Sequence, residues 1–506
     1  APCWVSRACF PPRLVAQWAS NRTAALPNLR VLLRTTVVAA SRDPATGRVL
    51  GLTLVTRAPR APSTEWAARL SDDLADWYSR APSPRFDKVV RDVPAAVVVE
   101  ASELGDVLAT AALPHTQGVE VPTEGSLSSD DGLTQSIAFT FFSEVLRSPP
   151  GTPDPAPRGS AGEASGAPPF WGAPPGGACC CSGHNEVQPP PPNTCHGKPL
   201  HNTSCLWPGQ CSWGGVWRYR RSTAGGGPPT GEPGVAVGDV SMQNWGHGND
   251  MPAACMLAPA AAARASVAAG QWQGGVNLTA LRIAEDRAFG WFRALQKASP
   301  ALGPRLVLNR TYAGTQTGLA KFPYVRDTRR AVGLGGFRMN HTMMQAHRPA
   351  TTAPRWGDAV GLGGYNFDVK PGAGYGAANG GQRPLPAYMW NFSSNTGLSG
   401  TAAPFYFPLR ALTVDGAPNV LAAGKTAALT FAANTAARVH TGEWSSGVAA
   451  GAAAAAMVSG NLTTAALLQD VASLQLLLRS PAIAQPLSWE HADPTAGWHR
   501  AAEAPP

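Results

Sequence analysis

A stretch near the C-terminus, residues 419–456, combines small and charged residues in a pattern suited to holding an anionic or flat ligand. Asn419-Val-Leu-Ala-Ala-Gly-Lys425 predicts a buried strand that stops at a tight turn. The following Glu443-Trp-Ser-Ser446 precedes a run of glycine and alanine. It predicts a helix start at which Ser445 or Ser446 accepts from the first free amides. A ligand could then lie against the positive end of this helix. The alternative is a small-residue helix packed tightly on a neighbour.

A second segment, residues 321–330, contains three arginines that could bind an anion. They are Arg326, Arg329 and Arg330. A guanidinium group binds a carboxylate or phosphate through two parallel hydrogen bonds, so a substrate or cofactor anion is one candidate partner. An internal ion pair with Asp327 or Asp358 is the equally weighted alternative.

The first hundred residues predict elements that could position such a site. Residues 12–18 predict a helix, and residues 29–40, a turn at 43–47 and residues 49–55 predict a β-hairpin. The apolar run Ala95-Ala-Val-Val-Val-Glu100 predicts a central strand buried on both faces.

That strand leads into the turn Ala101-Ser-Glu-Leu-Gly-Asp106 and a helix predicted over 107–112. A strand, small residues and a helix in this order can bring backbone groups close to a phosphate or a sugar. An ordinary loop in which Asp106 caps the helix is the alternative.

Later in the chain, helical spacing predicts a long amphipathic helix over 281–297 and a terminal one over 462–478. Residues 489–498 predict a docked tail. Between them and the N-terminal part, residues 148–215 are crowded with proline and glycine, which predicts a partly disordered surface insertion. Its six cysteines lack the Cys-x-x-Cys spacing of zinc modules, so no metal site is expected.

Composition limits the function classes. The chain has 506 residues, 44% of them hydrophobic, which favours a globular fold. The net charge of +9 is spread without a long basic run, so nucleic-acid binding has little support. Residues 447–458 are too short and too weakly apolar to span a membrane. The sequence opens mid-pattern, and we expect an N-terminal portion to be missing. Seven Asn-x-Ser/Thr sequons leave residence in the secretory pathway open.

The segment 419–451 resembles the C-terminal flavin-binding segment of an FAD-dependent oxidoreductase family within the glutathione-reductase-type flavoproteins. The family pattern is close to N-L-L-V-A-G-K-T, then A-x-R-x-H-x-x-E-W-x-S-G-x-A-A-G. Residues 101–106 are similar to its A-T-x-x-G-D turn, and residues 214–221 to a W-x-Y-R-R strand. Residues 238–250, 321–330 and 357–370 also resemble substrate-side segments.

The resemblance implies an α/β fold: a three-layer, Rossmann-like FAD-binding domain with an inserted α+β substrate domain. It implies FAD-binding segments at 1–112 and 404–480, a substrate-side domain at 113–403 and a tail at 481–506. Its implied cofactor-binding residues are Val37, Ala101, Ser102, Gly105, Asp106, Gly424, Lys425, Arg438, Glu443, Trp444, Ser445, Ser446, Gly447, Ala450 and Gly451. Its implied substrate-side candidates are Arg326, Arg329, Arg330, Lys370 and His440.

One family element has no counterpart here, because no G-x-G-x-x-G turn opens the chain. The glycine-rich runs at 333–336 and 361–364 stand in the wrong context to replace it. We therefore expect the 506 residues alone to hold FAD weakly and the complete protein to hold it tightly. Because Lys370 stands where the family commonly has histidine, no catalytic base is assigned.

The expected function is transfer of a hydride or electrons from a small-molecule substrate to FAD. No cysteine pair is placed for disulfide reduction. The alternative function is a non-catalytic, secreted or cell-surface interaction protein on a degenerate flavoprotein scaffold. Neither the substrate, the electron acceptor nor the oligomeric state follows from the sequence.

Overall fold

The computed structural model describes the chain between residues 9 and 489. The described ranges are 9–62, 66–118, 120, 134–150, 194–195, 198–199, 213–244, 249–251, 256–345, 353–369 and 402–489. Most of the insertion predicted at 148–215 lies outside these ranges, as do Lys370 and Trp498.

Helices and strands alternate irregularly along the described residues. The helices are α1 (Pro12–Ala24), α2 (Leu70–Tyr78), α3 (Asp106–Thr110), α4 (Trp213–Tyr219), α5 (Ala260–Ala268), α6 (Leu278–Ala298), α7 (Arg310–Ala313), α8 (Phe431–Ala437), α9 (His440–Gly460), α10 (Thr464–Gln469) and α11 (Val471–Arg479). The strands are β1 (Thr35–Arg42), β2 (Val49–Pro59), β3 (Phe86–Pro94), β4 (Val98–Glu100), β5 (His115–Thr116), β6 (Ile137–Ala138), β7 (Phe141–Val145), β8 (Thr194–Cys195), β9 (Lys198–Pro199), β10 (Arg221–Thr223), β11 (Val240–Gln243), β12 (Asp250–Met251), β13 (Leu306–Leu308), β14 (Arg330–Ala331), β15 (Ala359–Gly363), β16 (Phe405–Pro408) and β17 (Val420–Ala422).

The predicted helix and β-hairpin near the N-terminus are confirmed, with α1 six residues longer than expected. At the turn, Asp43 Oδ1 accepts from the amide of Ala45 at 2.8 Å, and Gly47 takes the left-handed conformation that glycine tolerates. The first strand begins at Thr35 and not near residue 29 as predicted. Leu33, for example, remains 70% exposed, because no described element packs on that part of the chain.

The hairpin is part of a three-stranded antiparallel sheet in the order β1-β2-β3. The third strand was not predicted, since its charged residues interrupt the apolar alternation. One face of this sheet packs on α2, where Lys88 Nζ pairs with Asp76 at 2.5 Å.

Strands β4 and β17 form a parallel pair, with Val98 opposite Val420 and Glu100 opposite Ala422. Both strands were predicted. The expectation that residues 95–100 are buried on both faces is wrong, because Val99 is 39% exposed on the side away from the core. Asn419 joins this pair to β2: its side chain accepts from the Val49 amide at 2.9 Å and donates to the Val49 carbonyl at 2.8 Å.

The larger core surrounds α6, which packs against the sheet β10-β11-β7-β13. The predicted helix at 281–297 is confirmed and starts three residues earlier, where the side chain of Asn277 accepts from the amides of Thr279 and Ala280. Phe141 of β7 and Phe292 of α6 meet edge to face at 5.8 Å.

The strand expected at 214–221 is wrong for most of its length, because residues 213–219 form α4. Trp213 and Trp217, four residues apart, stack at 5.1 Å on one face of this helix, and both are buried. Trp213 also donates to the Leu295 carbonyl at 2.9 Å, which fixes the helix on α6. A strand begins only at Arg221.

A second core surrounds α9, which buries Ala449, Ala453 and Met457 against neighbouring elements that include β15 and α11. The single helix predicted over 462–478 is wrong in one respect. It divides into α10 and α11 at Asp470, whose side chain caps α11 through the Ser473 amide. Of the tail predicted at 489–498, only Trp489 lies within the described residues, and it donates to the Phe405 carbonyl at 3.0 Å. The described residues form a mixed α/β fold.

Candidate functional site

Helix α9 begins at His440, five residues before the predicted start. Its N-cap residue is Val439, whose apolar side chain accepts no hydrogen bond from the first amides. The expectation that Ser445 or Ser446 caps the helix is therefore wrong, because both lie in its second turn. An α-helix leaves its first four N–H groups without intrahelical partners, so this end is electropositive and lacks a side-chain cap.

The two serines instead attach α9 to its neighbours. Ser446 Oγ accepts from the amide of Gly424, which follows β17, at 3.0 Å. Ser445 Oγ accepts from the Leu362 amide of β15 at 2.8 Å. These hydroxyls fix the helix start beside the strand-end turn. Both serine oxygens therefore accept hydrogen bonds from backbone amides of the protein itself.

One face of α9 remains open. Exposed residues recur along it at helical spacing: Trp444, Gly447, Gly451, Ala455 and Val458. A Cβ atom built on Gly447 or Gly451 would meet no atom of the described residues within 4 Å. Ala450 points the other way and is fully buried, so its side chain cannot contact a ligand on this face. Gly447 and Gly451 thus leave a stretch of open backbone on this face, next to the exposed indole of Trp444.

A charged group lies where α9, the turn after β17 and the turn after β4 meet. Lys425 Nζ pairs with Glu103 and donates to the Val325 carbonyl at 2.9 Å, and it lies 4.0 Å from Glu443 Oε1. Burial raises the pKa of Glu443, while Lys425 opposes this shift. The lysine is buried and the two carboxylates are partly exposed, so the group can interact with a bound ligand.

The turn after β4 is held by its own hydrogen bonds. Glu100 accepts from the amides of Ser102 and Val107, both at 2.5 Å, and Ser102 Oγ accepts from the Asp106 amide at 2.9 Å. Gly105 is buried in the left-handed conformation, and a Cβ atom there would lie 2.7 Å from Cβ of Arg329. Of the predicted residues, Ala101 is exposed and Ser102 is half-buried.

Asp106 does not face a ligand in this structure. Its buried carboxylate accepts from the Tyr78 hydroxyl at 3.0 Å and from Trp272 Nε1 at 3.0 Å. Burial and the neighbouring Glu100 raise the pKa of Asp106 to about 7, although these hydrogen bonds and Arg329 oppose the shift. Asp106 is the first residue of α3 rather than its cap.

We expect Asp106→Asn to remove a pH dependence of stability. The folded-state pKa of Asp106, about 7, lies above its ordinary value of 3.8, so its stabilising contribution is complete below about pH 4 and disappears as the pH rises through 7. The wild-type free energy of unfolding should therefore fall relative to the variant by up to roughly 1.4 kcal/mol per pH unit between pH 5 and 7. Urea unfolding from pH 5 to 8 measures the difference. If the free energy of unfolding changes with pH in the same way in the wild type and the variant, the assignment of this pH dependence to Asp106 is wrong. Glu100, which is coupled to Asp106, is present in both proteins.

The three arginines of residues 321–330 donate hydrogen bonds to groups within the protein. Arg326 donates to Asp250 at 2.9 Å, and Arg329 donates to backbone carbonyls that include Leu104 at 2.7 Å. Arg330 pairs with Asp327, which was one of the two predicted internal partners. Asp358, the other, pairs with Arg410 at 3.4 Å. The geometry supports internal ion pairs for Arg326 and Arg330 and backbone partners for Arg329, and all three guanidinium groups are buried.

A polar network that the sequence did not single out surrounds Arg438, at the end of α8. This guanidinium pairs with the Tyr324 hydroxyl and, at 3.1 Å, with Asp368 Oδ2. The partly exposed Tyr365 donates to the same carboxylate oxygen at 3.3 Å. Burial and Asp368 raise the pKa of Tyr365. Tyr324 also lies against Arg326, with its ring centroid 4.7 Å from the guanidinium carbon. The tyrosines lie in segments that were quoted for the resemblance, but without a motif that marks them.

The remaining candidates are scattered. His440 is exposed at the start of α9. Trp444, 62% exposed, contacts Trp18 of α1 with ring centroids 5.8 Å apart. Val37 lies at an irregularity of β1 and packs against the core beneath β4 and α3. Lys370 lies outside the described residues.

Comparison with known proteins adds one family match. Residues 274–478 match the model of a family described as FAD dependent oxidoreductase. No curated protein and no solved structure matches the chain. The matched range contains α9, the Lys425 turn and the Arg438 network, and it excludes the turn at 101–106. The match supports a general oxidoreductase role, and FAD is the cofactor that this family implies.

None of the helices within the described ranges is long and apolar enough to cross a membrane. Across the same ranges, no group of three or more His, Cys, Asp or Glu side chains is arranged to hold a metal ion.

Proposed function

We propose that the complete protein is an FAD-dependent oxidoreductase that takes a hydride or electrons from a small-molecule substrate. The observation that carries this proposal is the start of α9, which combines free amides with an open glycine face inside the family match. An electron-poor ring that becomes negatively charged on reduction suits such a helix end.

The residues fit the flavin end of the cofactor. Gly447 and Gly451 leave room for a flat ring, because a side chain at either position would enter open space. The amides from His440 to Gly442 can donate to an anionic ring edge. The FAD would supply the redox chemistry, and the protein would bind and orient it.

The charged residues at the same helix end have separate proposed roles. Lys425 holds Glu103 and Glu443 together beside the ring site and offsets part of their negative charge. Arg438 positions Tyr324 and Asp368, which would form part of the substrate wall together with Tyr365. These hydroxyl groups can orient a polar substrate. In this proposal residues 1–112 and 404–480 bind FAD, and residues 113–403 lie on the substrate side. The wall then joins the two parts, because its tyrosines belong to the substrate side and Arg438 belongs to the FAD-binding part.

We also propose that a Rossmann-like G-x-G-x-x-G unit outside the 506 residues completes the phosphate-binding part of the site. Support comes from the open apolar face of α9 and from α1, which buries none of its residues. A helix that is apolar all round normally packs on every side. Val458 is 58% exposed, so the surface for such a unit is present.

The flavin content of the purified protein tests this part of the proposal. We expect residues 1–506 to be purified nearly colourless and the complete protein to carry FAD close to one per chain. Absorbance in the flavin bands against protein absorbance measures the ratio. A stoichiometrically yellow product from residues 1–506 would refute the need for the additional unit. A colourless complete protein that fails to bind added FAD would refute the function itself.

The family match gives no support to the alternative of a non-catalytic scaffold protein. No observation in the described residues favours that function.

A further inference from the structure

Strand β3 is an edge strand on which three valines are exposed among charged residues. It pairs with β2 on one side, and no described strand pairs with its other side. Val89, Val90 and Val93 are 47%, 45% and 39% exposed. A nine-residue edge of this kind can accept another strand.

The register shows which backbone groups are available. Arg60 donates to the Arg85 carbonyl at 3.0 Å and Ala95 donates to the Leu50 carbonyl at 2.9 Å, so the odd-numbered residues of β3 form hydrogen-bonded pairs with β2. Hydrogen-bonded and non-hydrogen-bonded residues alternate along an antiparallel ladder. The N–H and C=O groups of Lys88, Val90 and Asp92 therefore point away from the sheet.

The sequence of this edge is complementary to itself in the antiparallel direction. Two copies of β3 related by a two-fold axis at Val89 place valine opposite valine. The same register places Asp87 opposite Arg91 of the other copy, twice. Opposite charges and β-branched pairs directly across an antiparallel ladder are stabilising, and like charges are destabilising. The even-numbered residues then supply the hydrogen-bonded pairs, as the backbone directions require.

The other charged residues of β3 do not prevent two copies of the strand from pairing. Lys88 is turned toward α2 and Asp76, and Asp92 accepts from the Thr53 hydroxyl at 2.6 Å within its own sheet. Asp87 has one exposed intramolecular partner, Arg60, at 3.1 Å. Exposed ion pairs of this type are worth little and exchange readily.

We propose that β3 is a self-association edge, through which two copies of this chain form one six-stranded antiparallel sheet. The occupant of the edge is a second copy, because the edge charges complement themselves in the register centred on Val89. The contact is confined to one strand per copy, so the dimer is weak and forms reversibly.

A charge exchange tests the proposal. Arg91→Asp and Asp87→Arg each place like charges across the two-fold axis, and the double variant restores opposite charges. Each single variant should raise the dissociation constant of the dimer about tenfold or more, and the double variant should return it close to wild type. Arg22→Asp on the exposed surface of α1 is the control with the same charge change as Arg91→Asp. Sedimentation equilibrium over a wide dilution series measures the association, and thermal unfolding confirms that each variant is folded.

The proposal requires all three results: reversible dimers of the wild type, their loss in folded single variants, and their recovery in the double variant. A wild type that remains monomeric throughout would overturn it. Dimers that persist in both single variants, or that weaken equally in Arg22→Asp, would also overturn it.

Discussion

Replacing Arg330 by methionine is expected to lower the free energy of unfolding by about 3–5 kcal/mol. The fully buried guanidinium pairs with Asp327 and, at 3.0 Å, with Glu120, and it donates to the carbonyls of Gly118 and Leu429. Methionine would leave two carboxylates buried without their cation. Since a domain is typically stable by only about 5–15 kcal/mol, much of the population could unfold.

Glu120 links this ion-pair group to α8, which precedes the proposed cofactor site. Both of its carboxylate oxygens accept from the Phe431 amide at the start of α8, at 3.0 and 2.9 Å. Loss of Arg330 should therefore loosen α8 and the Arg438 network that follows it. Urea unfolding measures the loss of stability, and hydrogen exchange over 431–438 measures the loosening.

Arg410→Met is the matched control. Arg410 is also paired with an aspartate, Asp358, at 3.4 Å, but its side chain is 36% exposed. Asp358 keeps a backbone donor, the Arg410 amide, at 3.2 Å. The control should lose about 1 kcal/mol or less. Equal losses in the two variants would contradict the importance of the buried ion-pair group.

Gly447→Leu is expected to weaken FAD binding by the complete protein roughly ten- to a hundredfold, equivalent to about 1–3 kcal/mol of overpacking. The leucine would occupy the open face on which we place the flavin ring. The variant should fold at least as stably as the wild type, because glycine is a poor helix residue and its added Cβ meets no described atom.

Gly290→Leu in α6 separates the binding effect from a general effect of helical substitution. Gly290 is likewise a helical glycine whose Cβ would meet no atom within 4 Å, and it lies outside the proposed cofactor site. Titration of the apoprotein with FAD, followed by flavin fluorescence, should show loss of affinity in Gly447→Leu alone. If the FAD affinity of Gly447→Leu equals that of the wild type, the flavin ring does not lie on this face.

Elements with strong local signals were predictable. The hairpin turn at Asp43–Gly47, the helix around Phe292 and the strand ending at Ala422 all follow from residue spacing and turn chemistry. The helix start at His440 was not predictable, because no capping side chain marks it. Its position depends on Ser445 and Ser446, which hydrogen-bond to distant parts of the chain.

The assignment of a cofactor site rests on resemblance and stays a prediction, while the structure shows where the nominated residues lie. The resemblance nominated both Gly447 and Lys425, and Lys425 Nζ lies 4.0 Å from Oε1 of Glu443, one turn before Gly447 in α9. It also nominated Asp106 and Arg329, which are buried and bonded within the protein. Burial depends on residues such as Tyr78 and Trp272 that are remote in sequence, so local patterns could not reveal it.

Hydrogen–deuterium exchange of the complete protein with and without FAD tests the central claim, that the start of α9 receives the flavin. We expect FAD to protect peptides covering 439–451 and the turn at 424–425 most strongly, because their amides and glycine face would be covered. Peptides from the β3 edge should not change. Protection that is absent from 439–451, while FAD is bound elsewhere, would contradict the proposed site.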